Sequence, residues 1–69
     1  MKVMFKEEDC PNGWPDYLTP GKVYVTTDVI WDADLAKIKD DDGDIIHITF
    51  RGFLYCPHLN DGTWTILED

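Results

Sequence analysis

A chain of 69 residues holds one domain, residues 1–69, because a second core would not fit. Six Lys+Arg against fourteen Asp+Glu give a net charge of −8, a field that repels phosphate backbones and anionic lipid and so disfavours direct nucleic-acid or membrane binding. Nine aromatic residues, three each of Trp, Tyr and Phe, supply enough apolar area for a core without metal or disulfide and argue against a disordered chain.

Residues 2–7 (KVMFKE) read as a first strand, with Val3 and Phe5 on one face and Met4 on the other. Residues 8–21 follow with three prolines and two glycines, and the dipeptides Asn12-Gly13 and Pro20-Gly21 mark turns. Trp14, Tyr17 and Leu18 give this long loop side chains with which to pack on the body. Residues 22–31 (KVYVTTDVIW) form the strongest strand pattern. Val23, Val25, Val29 and Trp31 fall on one face, and Tyr24, Thr26, Asp28 and Ile30 on the other. Ten residues is long for a flat strand, so a bend or bulge is expected near Thr27-Asp28.

After a short Asp32-Ala33-Asp34 connection, residues 35–39 (LAKIK) alternate, with Ala36 and Ile38 inward and Lys37 and Lys39 outward. A helix over residues 32–41 would have an apolar stripe of only Leu35, Ile38 and Ala36, so strand is the better reading. Asp40 to Asp44 make a tight reversal, with Gly43 free to take a positive φ. Residues 45–50 (IIHITF) return with Ile46, Ile48 and Phe50 inward. Gly52 is expected to bend the chain into a strand over Phe53–Cys56. Residues 57–62 make another turn, and residues 63–67 (TWTIL) the last strand. Five to six short strands predict an all-β fold: a small closed barrel or a rolled antiparallel meander.

The run Leu18-Thr19-Pro20-Gly21-Lys22-Val23-Tyr24-Val25, followed by a strand ending in Asp41-Asp42-Gly43, resembles a group of short bacteriophage and prophage proteins. Their L-T-x-G-K-x-Y-x-V opening leads into a strand, a D-D-x-G hairpin and a return strand. The resemblance covers Leu18 to Phe50, about half the chain. It implies an SH3-like small β-barrel and a phage source, and it brings no catalytic residues with it.

Reaction centres are poorly supported. The chain has no serine, which excludes a serine-centred triad. Cys56 and His58 lack an orienting third group, and Asp32 and Asp34 sit in a turn where nothing raises a pKa. Setting Gly43 as position 6 of an EF-hand loop puts Ile38 at position 1 and Thr49 at position 12, both unable to ligate as that loop requires. The Asp40–Asp44 carboxylates therefore read as a solvated hairpin turn. Cys10, Cys56, His47 and His58 lack the paired spacing of a zinc site. No catalytic residue, metal or cofactor is expected.

With no signal-like apolar segment before Glu7 and no apolar run long enough to span a membrane, a cytoplasmic protein with reduced thiols is expected. A Cys10–Cys56 disulfide is left open by the sequence.

The remaining feature is a surplus of aromatics. Tyr24, Trp31 and Trp64 are the expected core members, and Trp14 and Tyr17 the expected exposed rings. Trp and Tyr anchor interfaces. A partner-binding face is therefore expected from Trp14, Asp16, Tyr17, Asp28, Asp32, Tyr55 and Asp61, rings rimmed by carboxylates, addressed to a basic host protein surface. The alternatives are a small-ligand module stacking a nucleotide-like molecule on Trp14 or Tyr17, and a virion or structural protein.

Overall fold

A computed structural model describes residues 1–51 and 55–67. Six strands form two three-stranded antiparallel sheets, and the described residues contain no α-helix, only three 3-10 turns. β1 (Lys2–Met4) is the centre of the first sheet, between β2 (Tyr24–Val25) and β6 (Thr65–Leu67). The second sheet is a meander of β3 (Thr27–Ile30), β4 (Leu35–Lys39) and β5 (Ile45–Thr49). The all-β expectation holds. The closed barrel does not: among the described residues the strands pair as two separate sheets.

The division happens inside the predicted 22–31 strand, at the expected irregularity. Asp28 takes φ 50°, and the β3–β4 register shifts between Thr27↔Lys37 and Ile30↔Leu35. Just before it, the buried Thr26 donates both its amide (2.9 Å) and its hydroxyl (2.8 Å) to the Met1 carbonyl. That anchor turns β2 towards β1 while β3 goes to β4. The strand's facing changes across the bulge, as an extra residue requires. Tyr24 and Thr26 point inward and Val23 and Val25 outward, whereas beyond Asp28 it is Val29 that packs on the core. The expected core role of Trp31 is corrected, because the strand ends at Ile30 before the alternation reaches it. Trp31 opens a 3-10 turn (Trp31–Ala33) and is exposed.

The β4–β5 hairpin is as read from the sequence. Ala36, Ile38, Ile48 and Phe50 are buried, Ile46 is half-buried, and Gly43 takes φ 85° at the turn. The core joins these to Val3, Phe5, Leu18, Tyr24, Leu59 and Trp64, with both cysteines. The Trp64 indole lies at its middle, edge-on to Phe5 (5.3 Å between centroids) and to Tyr24 (5.8 Å).

The long loop is tied down rather than free. It begins in a 3-10 turn (Glu7–Asp9) and buries Cys10 and Leu18. Trp14 and Tyr17, expected to be exposed, are half-buried against the core, Trp14 tilted against Phe5 at 6.2 Å. Such rings gain more by covering a small core than by standing in water. The expected bend at Gly52 and the first half of the expected Phe53–Cys56 strand lie outside the described residues, and Tyr55 is not in a strand. Cys56 itself makes an isolated antiparallel bridge to Gly62, ahead of the 3-10 turn Pro57–Leu59.

Candidate partner-binding face

Asp41 holds the hairpin tip to the loop before β2. Its carboxylate accepts from Thr19 Oγ1 (2.6 Å), Lys22 Nζ (2.6 Å) and Tyr24 OH (3.0 Å), and its amide donates to the Tyr17 carbonyl (2.9 Å). The Thr19 amide completes the ring by donating to Tyr24 OH at 2.7 Å. The hydrogen bond from Lys22, then that from Thr19, holds the Asp41 carboxyl below its ordinary range, and the bond to Asp41 raises Lys22. Burial is the main reason Tyr24 is raised.

The sign for Asp41 follows. A depressed carboxyl stabilises the fold above its unfolded pKa, and that stabilisation is lost as pH falls through the folded value. In thermal melts across pH, the Tm gap between wild type and Asp41→Asn should be widest above about pH 5 and close below about pH 3. A gap independent of pH would contradict the ionic role.

Asp40 does a second job in the same turn. It is buried, and its Oδ1 accepts the amides of Asp42 (3.0 Å) and Asp44 (2.9 Å). The expected solvated turn is therefore organised around one buried carboxylate. Asp40, Asp42 and Asp44 place ligand oxygens within 4.8 Å of one another, yet the two backbone bonds already account for one Asp40 oxygen. Cys10, Cys56 and the histidines form no group of three within that reach among the described residues.

The exposed apolar surface lies elsewhere, at the end of the second sheet where β3 turns into β4. Ile30, Leu35 and Thr49 stand opposite one another across three strands and share the outward face, a row about 10 Å wide. Ile30 in this row is 54% exposed, and beyond it Trp31 is 56% and Tyr55 71% exposed. Thr49 Oγ1 donates to the Tyr55 carbonyl (3.2 Å), which fixes that residue beside β5. Trp31 is held edge-on against the buried Phe50 ring at 5.4 Å. The Arg51 guanidinium sits 5.6 Å from both rings, and its Nε donates to Asp34 Oδ1 at 2.7 Å. Asp34 can serve there because it takes φ 54° at the end of the 3-10 turn. A large ring is thus exposed yet oriented, with part of its ordering cost already met.

The seven expected contact residues divide between two regions. Asp28, Asp32 and Tyr55 belong to the second sheet and its border. Asp32 is exposed in the turn beside Trp31, and Asp28 lies 3.4 Å from Lys37 Nζ. Trp14, Asp16, Tyr17 and Asp61 belong to the loop and the chain around the 57–59 turn. These two segments are joined by Tyr17 OH against His58 Nδ1 (3.0 Å) and by Asn12 Nδ2 donating to the Asn60 carbonyl (3.1 Å). Asp16 and Asp61 are exposed there, but the two rings are half-buried. Sequence reasoning missed Trp31 and Arg51 as surface partners, and the stacking of Arg51 on Trp31 could not be read from spacing.

Two open depressions were found. One, about 490 Å³, is lined by Lys6, Glu7, Glu8, Pro20 and Gly21. The other, about 430 Å³, includes Lys22, Val23, Val25, Lys39 and Ile45. Trp14 and Tyr17 line neither. Among the described residues no helix is long and apolar enough to cross a membrane. Comparison of the chain with protein-family models, curated proteins and solved structures gives no match.

Proposed function

We propose that this chain is a non-enzymatic protein-binding module of phage or prophage origin, with an SH3-like ancestry, that occupies a basic surface of a host defence or nucleic-acid-handling protein. The observation that carries this reading is the exposed Trp31, oriented by Phe50 and Arg51 and preceded by the exposed Ile30, on the sheet whose border carries the exposed Tyr55. Trp, Tyr and Arg are the residue types that dominate binding energy when an interface covers them. The net charge of −8, with Asp32 next to the ring, supplies long-range attraction to a cationic partner and speeds encounter.

The test uses the immobilised full chain and bacterial lysate, with Trp31→Ala/Tyr55→Ala as the control surface. Wild type should retain a specific protein, and the double variant should bind it at least about 30-fold more weakly, in line with losses of about 2 kcal/mol or more at central aromatics. The variant should keep a near-native Tm, because both side chains are mostly in solvent. For the purified partner, the association rate should fall steeply with salt. A partner bound equally well by the double variant would overturn the placement of the site, and a salt-indifferent rate would overturn the steering.

A further inference from the structure

We propose that Cys10 and Cys56 are a disulfide-forming modification site, a redox clasp between the long loop and the segment before the Pro57–Leu59 turn. Both thiols are free and buried, and Gly62 relates them in space. Cys56 and Gly62 form an antiparallel bridge, with the Cys56 amide donating to the Gly62 carbonyl at 2.8 Å. Directly opposed residues in such a pair point their Cβ bonds to one side, about 5 Å apart. Gly62 has no Cβ, and one added there would lie 2.8 Å from Cys10 Sγ. The sulfur of Cys10 thus stands against the Cys56–Gly62 pair.

The backbone fixes this arrangement. The Thr63 amide donates to the Asp9 carbonyl (3.1 Å), and the Gly62 amide to that of Leu59 (2.8 Å). Disulfides need Cβ atoms about 3.5–4.5 Å apart, so the clasp requires the loop to bring Cys10 to that distance from Cys56.

The oxidant is a low-molecular-weight disulfide such as oxidised glutathione. One cysteine thiolate attacks it, forming a mixed disulfide and releasing one glutathione thiolate. The second cysteine thiolate attacks the protein sulfur of that mixed disulfide, forms the Cys10–Cys56 bond and releases the second glutathione. The two protons lost by the cysteines end on the two glutathione thiols. Burial, then Asp9 and Cys56 nearby, pushes the Cys10 thiol up, so the reduced state resists oxidation at neutral pH and reacts faster as pH rises.

The experiment exposes the full chain to oxidised glutathione, both folded at pH 8.5 and during refolding from denaturant. Intact mass and thiol titration are then read, with Cys10→Ser and Cys56→Ser as controls. The expected product is a monomer lighter by two hydrogens, with no thiol left after unfolding and a Tm raised by on the order of 10 °C, because the bond closes a long loop. Each single variant should stop at a glutathione adduct. Two thiols persisting through refolding, adducts or covalent dimers as the main wild-type products, or an oxidised monomer with a lower Tm would each overturn the clasp.

Discussion

Gly62→Ala should leave most of the chain unfolded at 25 °C. A Cβ there would lie 2.8 Å from the Asp9 carbonyl oxygen, 2.8 Å from Cys10 Sγ and 2.9 Å from the Leu59 carbonyl oxygen. Two of these are backbone atoms, and each already accepts a hydrogen bond, from Thr63 and Gly62 respectively. Relieving the clash means moving the chain segments that join the loop to the last strand. Overpacking of this kind costs about 1–3 kcal/mol, and each weakened hydrogen bond adds about 1 kcal/mol. A domain of this size has only about 3–5 kcal/mol in hand. Gly43→Ala is the useful contrast. Gly43 has φ 85° but nothing near its missing Cβ, so it should cost about 1 kcal/mol from backbone strain alone. Urea titration followed by circular dichroism compares the two. Equal midpoints would show that the contacts around Gly62 yield easily.

Trp64→Ala should be of similar severity. The indole is almost fully buried and touches Phe5 and Tyr24 edge-on, so its ring joins β1, β2 and the approach to β6. Truncating a buried Trp costs about 3–5 kcal/mol, which consumes the whole stability of the domain. Trp64→Phe separates volume from polarity. Trp64 Nε1 is buried and has no hydrogen-bond partner among the described residues, and a buried unsatisfied donor costs about 1–3 kcal/mol. Removing it offsets part of the lost volume, so the Phe variant should fold, with a urea midpoint between wild type and Ala. A Trp64→Ala chain with a near-native midpoint would place the core elsewhere.

The hairpin was readable because its signals are local. Lys37, Lys39 and His47 alternate with Ala36, Ile38 and Ile48, and Gly43 sits where a positive φ is required. The bulge was readable from strand length alone. Its consequence was not: one extra residue at Asp28 brings Val29 inward after Tyr24 and Thr26, and Trp31 leaves the alternation because the strand ends at Ile30 and the chain enters a 3-10 turn. Asp41 looked like one carboxylate among several, since its partners at Thr19, Lys22 and Tyr24 are distant in sequence. Trp14 and Tyr17 looked exposed because loops usually are. In so small a domain the core lacks cover, and the loop's rings provide it. The candidate face suffered from the same blindness, since Trp31 and Arg51 meet only once the sheet is assembled.

The position of β1 between β2 and β6 governs how the molecule comes into being. As the ribosome releases the chain, the β3–β4–β5 meander can close from neighbouring residues alone. The first sheet cannot, because its central strand is made earliest and one of its two neighbours last. Until β6 emerges, Lys2–Met4 has one edge open to any other nascent strand. Productive folding therefore depends on a long-range closure once β6 has emerged, and such closures are slow.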